Sequence, residues 1–227
     1  DEAMLFKRIV RQVALEHGVY AAFMAKPMSD QPGSAMHIHQ SVLDAESGRN
    51  VFSTQNGKDS ALFRSYVAGL ARLLPQVCPL YAPNVNSVRR MRPDTDAPIN
   101  VQGGSDNRSC GLRVPISDAK NRRIENRLPG ADANPYLAIA ASLICGFIGM
   151  VERMQPPKAI TGNAYNRARP LPRSLEGALD RFSHCKAVRE YLGTDFFELF
   201  FAIKDAELYA YQTVISSWER EHLLLKV

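Results

Sequence analysis

Residues 107–136 read NRSCGLRVPISDAKNRRIENRLPGADANPY, and this stretch decides how the rest of the chain is interpreted. Its centre, residues 123–127 (RIENR), has the pattern of a β-strand whose side chains alternate between two faces. On that pattern Arg123, Glu125 and Arg127 share one face, and Ile124 points to the other. The apolar and turn residues on either side predict that the strand is paired within a sheet.

Positive charge is concentrated around this strand, because Arg108, Arg113, Lys120 and Arg122 precede it closely. Guanidinium groups beside a carboxylate stabilise its charged form. Such a set of side chains can bind a polyanion and keep one carboxylate for a divalent metal. The alternative is a solvated strand face carrying ion pairs. The neighbouring apolar and turn residues make that alternative less favourable.

The same stretch resembles the glutamine synthetase superfamily. NRSCGLRVP, RRIENR and NPYL follow the family patterns NRS-x-x-x-R-x-P, R-R-[IL]-E-x-R and NPYL in order. Upstream, residues 26–41 (KPMSDQPGSAMHIHQS) resemble KP-x(7)-GSGMH-x-H-x-S. The resemblance covers essentially the whole chain. It implies an α+β fold with a curved, largely antiparallel sheet flanked by helices.

Composition is that of an ordinary globular protein, with 227 residues, 45% hydrophobic, 22% charged and a net charge of +5. Aromatic residues do not interleave with the basic ones, so the charge points to bound phosphates as readily as to nucleic acid. Four widely spaced cysteines without a CxxC pair predict reduced thiols and a cytoplasmic location. No signal peptide is recognised, and the apolar run at 137–151 is too short to span a membrane. We expect no membrane partner and, because the basic groups lie on strands predicted within a sheet, no nucleic-acid partner.

The chain divides into a sheet and active-site part, 1–155, and a C-terminal helical part, 156–227. Periodicity predicts helices over 3–17, 60–77, 134–153, 174–182, 186–192 and 194–221. It predicts strands over 19–25, 34–43, 51–53, 99–102, 109–114 and 123–128, and an ordered loop at 86–98. The helix from 134 is apolar nearly all round and is expected in the core. By resemblance, residues 1–227 form the C-terminal part of a catalytic domain, and we expect the fragment alone to be inactive.

Two histidines lie on one face of a predicted strand, at positions 37 and 39. A His-x-His pair is by itself a weak indicator of a metal site. The resemblance implies that His37 and Glu125 are ligands of a catalytic Mg²⁺ or Mn²⁺, which suits imidazole and carboxylate donors. The residues that it assigns to the ATP side are His39, Ser41, Arg113, Lys120 and Arg123.

The family's reaction activates the γ-carboxylate of glutamate with ATP, and an amine then attacks the γ-glutamyl phosphate. By motif position, Gly33 approaches the substrate glutamate and Arg90 holds its α-carboxylate. Arg127 holds the γ-carboxyl end, and Arg108 neutralises the transferring phosphoryl group. Such chemistry depends on positioning and charge neutralisation. The implied partners are glutamate, ATP and an amine, in a ring-shaped homo-oligomer that is a dodecamer in the family.

The departures from the family pattern concern the amine. Glutamine synthetases read KRLVPGYEAP where this chain reads RRMRPDTDAP at 89–98. Asp96 takes the place of the glutamate that accepts a proton from ammonium and is one methylene shorter. The second anion, Asp94, could hold the distant ammonium of a diamine or pair with a neighbouring arginine. Together with PGSAMHIHQS, the segment resembles the γ-glutamyl-polyamine and γ-glutamyl-monoamine synthetase branch.

Three alternatives remain open at this point: glutamine synthetase itself, a catalytically silent homologue that acts as a binding subunit, and a nucleic-acid-binding module. The first alternative differs from the leading hypothesis in its amine. A test of whether ammonia or an alkylamine drives phosphate release separates the two. Basic groups placed on strands inside a sheet disfavour the third. Tyr165 falls where the enteric-type enzymes carry an adenylylated tyrosine. Because Asn166 and Arg167 replace the usual Asp-Leu, we interpret it as an unmodified surface tyrosine.

Overall fold

The computed structural model describes residues 1–93 and 96–226. Its α-helices are α1 (Glu2–Glu16), α2 (Ala61–Leu73), α3 (Val85–Arg90), α4 (Pro135–Val151), α5 (Leu175–Ser183), α6 (Lys186–Leu192), α7 (Thr194–Gln212) and α8 (Ser217–Leu223). Its strands are β1 (Ile38–Gln40), β2 (Gly103–Ser105), β3 (Leu112–Val114) and β4 (Ile124–Asn126). Short 3₁₀ turns lie at Leu74–Gln76, Cys78–Leu80 and Ala164–Asn166.

The four strands form one sheet in the order β1-β4-β3-β2. The β1–β4 and β4–β3 pairs are antiparallel and the β2–β3 pair is parallel. The largely antiparallel α+β architecture expected from the sequence is therefore confirmed. Because β4 has a strand on each side, it is buried along its length, and Glu125 is only 3% exposed. The alternative of a solvated strand face is wrong.

Two buried hydrogen bonds attach strands β1 and β4 to the helices behind the sheet. The Tyr66 hydroxyl of α2 donates to Gln40 Oε1 of β1 at 2.6 Å. Asn126 Nδ2 of β4 donates to Ser142 Oγ of α4 at 2.7 Å. Helices α2 and α4 approach closely at Gly69, where an added Cβ would lie 2.1 Å from a backbone oxygen of α4. This contact holds the back of the sheet and leaves its front to polar side chains.

Helix α4 begins as predicted, with Asn134 accepting hydrogen bonds from the backbone N–H groups of Tyr136 and Leu137, and Pro135 in the first turn. The expectation that it is buried all round is wrong. Large apolar side chains along one face are exposed, namely Tyr136, Ile139, Leu143, Phe147 and Val151. Its other face packs in a core that also contains Phe182 and Phe197 of the C-terminal part.

Several predicted boundaries are corrected. Residues 19–25 do not form a strand, because they find no strand partner in the described chain and Tyr20 is 90% exposed. The predicted loop at 86–98 begins as helix α3, which Asn84 and Ser87 cap reciprocally. The strand expected at 99–102 lies at Gly103–Ser105. The last predicted helix is divided, since Ser216 caps a separate α8.

The cysteines are free thiols, as the sequence predicts. All four cysteines are free and buried. Across residues 1–93 and 96–226, no helix has both the length and the apolar character needed to cross a bilayer.

Candidate active site

Strand register places three charged or polar side chains in one row across the sheet. Glu125 of β4 is opposite His39 of β1 on one side and opposite Arg113 of β3 on the other. Directly opposite residues project from the same face of an antiparallel pair. The row is therefore a consequence of pairing, and its members lie far apart in the sequence.

Glu125 is the centre of this row. Its Oε2 accepts from Arg113 Nη1 at 2.7 Å, and its Oε1 lies 3.0 Å from His37 Nδ1 and 3.3 Å from Arg127 Nη1. His39 Nε2 lies further away, at 3.9 Å from Oε1. A buried carboxylate is costly unless it is paired and hydrogen-bonded. Here its neighbours supply both, so the charge is held in place at the sheet face.

The same contacts set the protonation states. Burial by itself would raise the pKa of Glu125, but the hydrogen bond from Arg113 and the charge of Arg127 outweigh it and leave this pKa below its ordinary value. For His37, burial is the main cause that lowers the pKa, and Arg127 adds to it, while Glu125 opposes. At neutral pH the pair is therefore an ionised carboxylate beside a neutral imidazole, which are the forms that bind metals.

The His37–Glu125 pair fits a hard divalent cation. Two ligands at ~2.1 Å from an octahedral ion and at right angles to each other lie ~3 Å apart. The observed separation of Nδ1 and Oε1 is 3.0 Å, so the expected convergence of these side chains is confirmed. In the part of the chain that the structure describes, no group of three or more His, Cys, Asp or Glu side chains could hold an ion. Further ligands would come from elsewhere, as Mg²⁺ usually keeps waters and phosphate oxygens.

Arg127 is more buried than expected, with 8% of its surface exposed. Its Nη1 contacts Glu125, while its Nε is sealed from solvent without a hydrogen-bond partner among the described residues. A buried donor without a partner costs about 1–3 kcal/mol. An anionic ligand that reached Nε would remove that cost, which makes Arg127 a candidate for a substrate carboxylate.

Gly33, predicted to approach the substrate glutamate, and Arg90, predicted to hold its α-carboxylate, are in direct contact. Arg90 ends α3 and is 3% exposed, and its Nη2 donates to the carbonyl oxygen of Leu128. A Cβ built on Gly33 would lie 2.6 Å from Arg90 Cγ and 2.4 Å from the carbonyl oxygen of Ala25. Only glycine fits between them. Burial lowers the pKa of Arg90 to about 10, and the guanidinium stays charged at neutral pH.

Two of the predicted nucleotide residues line one cavity. Ser41 and Lys120 face a space of about 770 Å³, next to Asn50 and Asn121. Asn50 Nδ2 donates to the carbonyl oxygens of Lys120 and Arg122, at 3.0 and 2.7 Å, and so fixes the segment that carries the lysine. The volume is within the range of cavities that hold small molecules and cofactors.

The remaining nucleotide residues lie on the sheet face. Arg123 Nε donates to His39 Nδ1 at 3.3 Å. Each of the three guanidinium nitrogens of Arg113 makes a hydrogen bond, from Nη1 to Glu125 and from Nε and Nη2 to Asp106, at 2.7, 3.0 and 2.5 Å. The sequence interpretation missed Asp106. Its position directly before the NRS motif was the signal, and its positive φ of 46° marks the turn that brings it to Arg113.

Arg108 is not brought to the Glu125 row by any contact that the structure shows. It is exposed and lines a separate cavity of about 740 Å³ together with Asp106 and Tyr165. Asp96 is also exposed and has a left-handed φ of 58°. The Tyr165 hydroxyl donates to the carbonyl oxygen of Ala97 at 3.0 Å, so this tyrosine is half-buried and is not a plain surface residue. Asp94, proposed as the second anion, lies outside the described residues.

Comparison with known proteins identifies the family of this chain. The family model described as the catalytic domain of glutamine synthetase matches residues 1–223. The chain belongs to the glutamine synthetase catalytic-domain family. Its membership places the Glu125 row, the histidines and the arginine-rich strands within a catalytic domain.

Relatives in this glutamine synthetase family include enzymes named for several amines. The chain is 38% identical over 225 residues to γ-glutamylputrescine synthetase of Escherichia coli (strain K12), covering 99% of this chain and 48% of the relative. It is 36% identical to glutamate–isopropylamine ligase of Pseudomonas sp., covering 96% of this chain and 49% of that relative. It is 37% identical to glutamine synthetase of Thermococcus kodakarensis, covering 96% and 50%. The chain thus spans about half the length of the curated relatives that it matches.

Proposed function

We propose that this chain carries the catalytic face of an ATP-dependent glutamate–amine ligase, which joins the γ-carboxylate of glutamate to an amine through γ-glutamyl phosphate. The observation that carries the proposal is the charged carboxylate of Glu125 at the centre of its row. Arg113, Arg127 and His37 hold this carboxylate on one face of the sheet. A catalytically silent homologue would have no need to keep a buried carboxylate beside a neutral imidazole and an unsatisfied guanidinium donor.

Glutamate would be bound by the two buried arginines. Arg90, packed on Gly33, would pair with the α-carboxylate, and Arg127 would offer its unsatisfied Nε to the γ-carboxylate. Both guanidinium groups are fixed by contacts to the protein, so little side-chain entropy is lost on binding. Two fixed charges at the two ends of the substrate would orient the γ-carboxylate toward ATP.

ATP would occupy the side of the sheet where Ser41 and Lys120 line their cavity, with His39 and Arg123 at the edge of the sheet face. We assign Arg113 first to holding Glu125, because each end of its guanidinium is already engaged. Its contact with nucleotide remains a prediction, as does the role of Arg108 at the transferring phosphoryl group.

His37 and Glu125 would hold the divalent ion, Mg²⁺ or Mn²⁺, which when bound neutralises phosphate charge during phosphoryl transfer. The protein prepares this site by keeping the imidazole neutral and the carboxylate ionised. Arg113 and Arg127 position the carboxylate from either side.

For the amine we propose an alkylamine or a polyamine. Asp96 is one methylene shorter than the family's glutamate, and its retreat by about 1.5 Å leaves room for an N-alkyl group. Relatives named for putrescine and isopropylamine support this choice, but a glutamine synthetase is about as similar to the chain. Glutamine synthetase activity with ammonia is therefore the second candidate, and the amine must be decided by assay.

The test is phosphate release by the full-length protein with glutamate, ATP and a panel of ammonia, monoamines and diamines. We expect at least one primary alkylamine or polyamine to exceed ammonia in kcat/KM. The Glu125→Gln variant should lose this phosphate release. The control variant Asp180→Asn, which changes an exposed carboxylate of α5, should keep it. Faster turnover of ammonia than of every alkylamine would assign the second candidate. No amine-dependent release by a folded protein would refute the ligase proposal.

We further propose that the full-length protein forms a homo-oligomeric ring in the cytoplasm, the dodecamer of its family. Exposed apolar side chains on α1, including Phe6 and Ile9, support a role of this helix in contacts between parts of such an assembly. Light scattering coupled to size-exclusion chromatography measures the mass directly, and a monomer at micromolar concentration would contradict the proposal.

A further inference from the structure

The backbone at Asp96, the residue proposed at the amine, has an unfavourable conformation. Its φ of 58° lies in the left-handed region, which residues other than glycine adopt rarely and which aspartate tolerates better than most. Such a conformation persists only where the surrounding structure determines it. The Asp96 side chain is exposed, whereas Ala97, the next residue, is 3% exposed. The packing that can support this conformation is therefore at Ala97 and not at the aspartate side chain.

Tyr165 supplies such a support. Its hydroxyl donates to the carbonyl oxygen of Ala97 at 3.0 Å, across 68 positions of the chain. Because Pro98 follows, the backbone angles of Ala97 are themselves restricted. Fixing the Ala97 carbonyl therefore also fixes the direction in which the side chain of Asp96 leaves the backbone.

The 3₁₀ turn that carries Tyr165 is itself held in place. The side chain of Asn163 accepts from the backbone N–H of Tyr165 at 2.9 Å and so caps the turn. Ala164, which is fully buried, donates its N–H to Ser109 Oγ at 2.9 Å. The carbonyl oxygen of Ala164 accepts from Asn100 Nδ2 at 3.2 Å. The position of the tyrosine is thus set by polar contacts to two other segments.

The residues that lead into this turn are bound by the NRS motif. Asn107 Nδ2 donates to the carbonyl oxygen of Gly162 at 2.7 Å. Asn107 Oδ1 accepts from the hydroxyl and the backbone N–H of Ser109, at 2.7 and 3.0 Å. Two of the three side chains of the motif therefore hold the turn that carries Tyr165. Hydrogen bonds thereby connect the motif, through the turn, to Ala97.

We propose that Tyr165 is a positioning residue for the amine step, which acts through the Ala97 carbonyl to fix the carboxylate of Asp96. This inference rests on the proposed function, in which Asp96 accepts a proton from the amine. A proton acceptor must lie within hydrogen-bond reach of the group that it deprotonates. Because the Asp96 side chain is exposed, packing does little to orient it, and its direction depends on the backbone.

The ring and the hydroxyl of Tyr165 can be separated by substitution. The residue is half-buried and lines the cavity that also contains Arg108, so its ring contributes to packing in either case. Phenylalanine keeps the ring and removes only the donor to Ala97. A hydroxyl with a merely structural role would affect stability alone, whereas a positioning hydroxyl affects the step that uses Asp96.

The test compares the full-length wild type with Tyr165→Phe, using ATP, glutamate and the amine that the wild type prefers. We expect kcat to fall by at least about tenfold, since a displacement of about 1 Å can cost about a hundredfold in rate. KM for glutamate should be unchanged, because Arg90 and Arg127 are not altered. Hydrogen exchange followed by mass spectrometry should be faster in the peptide that contains Asp96 and Ala97.

A double-mutant cycle separates positioning from general damage. In the Asp96→Asn background, Tyr165→Phe should cause no further loss of kcat, because the group through which it acts is already gone. The control Tyr209→Phe removes the hydroxyl of an exposed tyrosine on α7 and should match the wild type in every measurement. Losses of kcat that add in the double variant would overturn the inference, as would wild-type kcat or wild-type exchange in Tyr165→Phe.

The outcomes also separate this inference from the ligase proposal. If the folded wild type shows no amine-dependent phosphate release, the ligase proposal fails, and the role of Tyr165 fails with it. If the wild type is active and Tyr165→Phe equals it in kcat, only the role of Tyr165 is refuted.

Discussion

Replacing Gly33 by alanine should damage glutamate binding through a steric conflict that the structure locates. The added Cβ would lie 2.4 Å from the carbonyl oxygen of Ala25 and 2.6 Å from Arg90 Cγ. Contacts below 3.0 Å are essentially never seen for real Cβ atoms, so the neighbours must move. The backbone oxygen is the less adaptable of the two, because it also accepts the hydrogen bond from the Ser34 N–H at 2.9 Å.

The size of the effect follows from these contacts. Overpacking in a close-packed region costs about 1–3 kcal/mol, and a weakened backbone hydrogen bond adds about 1 kcal/mol. We expect a loss of about 2–4 kcal/mol in the free energy of unfolding, which corresponds to roughly 4–16 °C in Tm for a unit of this size. Arg90 must also shift, and a displaced charged contact to substrate should raise KM for glutamate by about tenfold or more.

The assay combines thermal unfolding with steady-state kinetics on the full-length protein. Gly103→Ala is the matched control, because a Cβ there meets only Val67 Cγ1 at an ordinary 3.6 Å. It should change Tm by little and KM not at all. Wild-type KM for glutamate in a folded Gly33→Ala protein would refute the placement of Arg90 at the substrate. An unchanged Tm would refute the steric argument itself.

Further predictions concern the metal, the pH dependence and the substrate contacts. Glu125→Gln should weaken Mn²⁺ binding by at least about tenfold, as measured from the electron paramagnetic resonance signal of free Mn²⁺. The control variant, His184→Ala at an exposed histidine, should bind Mn²⁺ as wild type does. Equal affinities of the two variants would contradict the assignment of Glu125 as a metal ligand. The folded-state pKa of His37 lies below its ordinary 6.5, so the unfolded state binds more protons than the folded state does. Metal-free protein should therefore lose stability as pH falls through 6.5 and below, and His37→Gln should lose less. Parallel profiles of Tm against pH for the two proteins would contradict this contribution of His37. Asp96→Glu should shift the preference in kcat/KM toward ammonia. An unchanged ratio of the kcat/KM values for alkylamine and ammonia would contradict a role of this residue in the choice of amine. Arg127→Ala should nearly abolish γ-glutamyl transfer and, since the residue is buried against Glu125, also lower Tm by several degrees, which a purely substrate-facing residue would not do.

Local patterns in the sequence predicted those features that depend on neighbours along the chain. The alternation in RIENR correctly placed Glu125 and Arg127 on one face, because the period of a strand is fixed by its backbone. The Asn-Pro start of α4 was also correct, since a capping residue acts within one turn. Residues 19–25 show the limit of such patterns. Their β propensity is real, but a strand forms only where another strand offers hydrogen bonds, and none in the described chain does.

Contacts over long sequence distances could not be predicted in this way. Arg90 packs against Gly33 across more than fifty residues, and Asp106 reaches Arg113 only through the turn that its positive φ allows. Burial of Arg127 was missed for the same reason. A charged residue on a strand face is exposed or buried according to what packs on that face, and the local sequence does not contain that information.

The sequence by itself determined the family, the α+β class and the residue types of the proposed chemistry, because motifs and periodicity are local properties of the chain. Only the tertiary structure decided which groups meet. The register of β1, β4 and β3 places His39, Glu125 and Arg113 in one row, and a slip of one residue would turn Glu125 to the opposite face. The cavity lined by Val88 of α3, Ser174 before α5 and Tyr211 of α7 is likewise formed by three segments that only packing brings together.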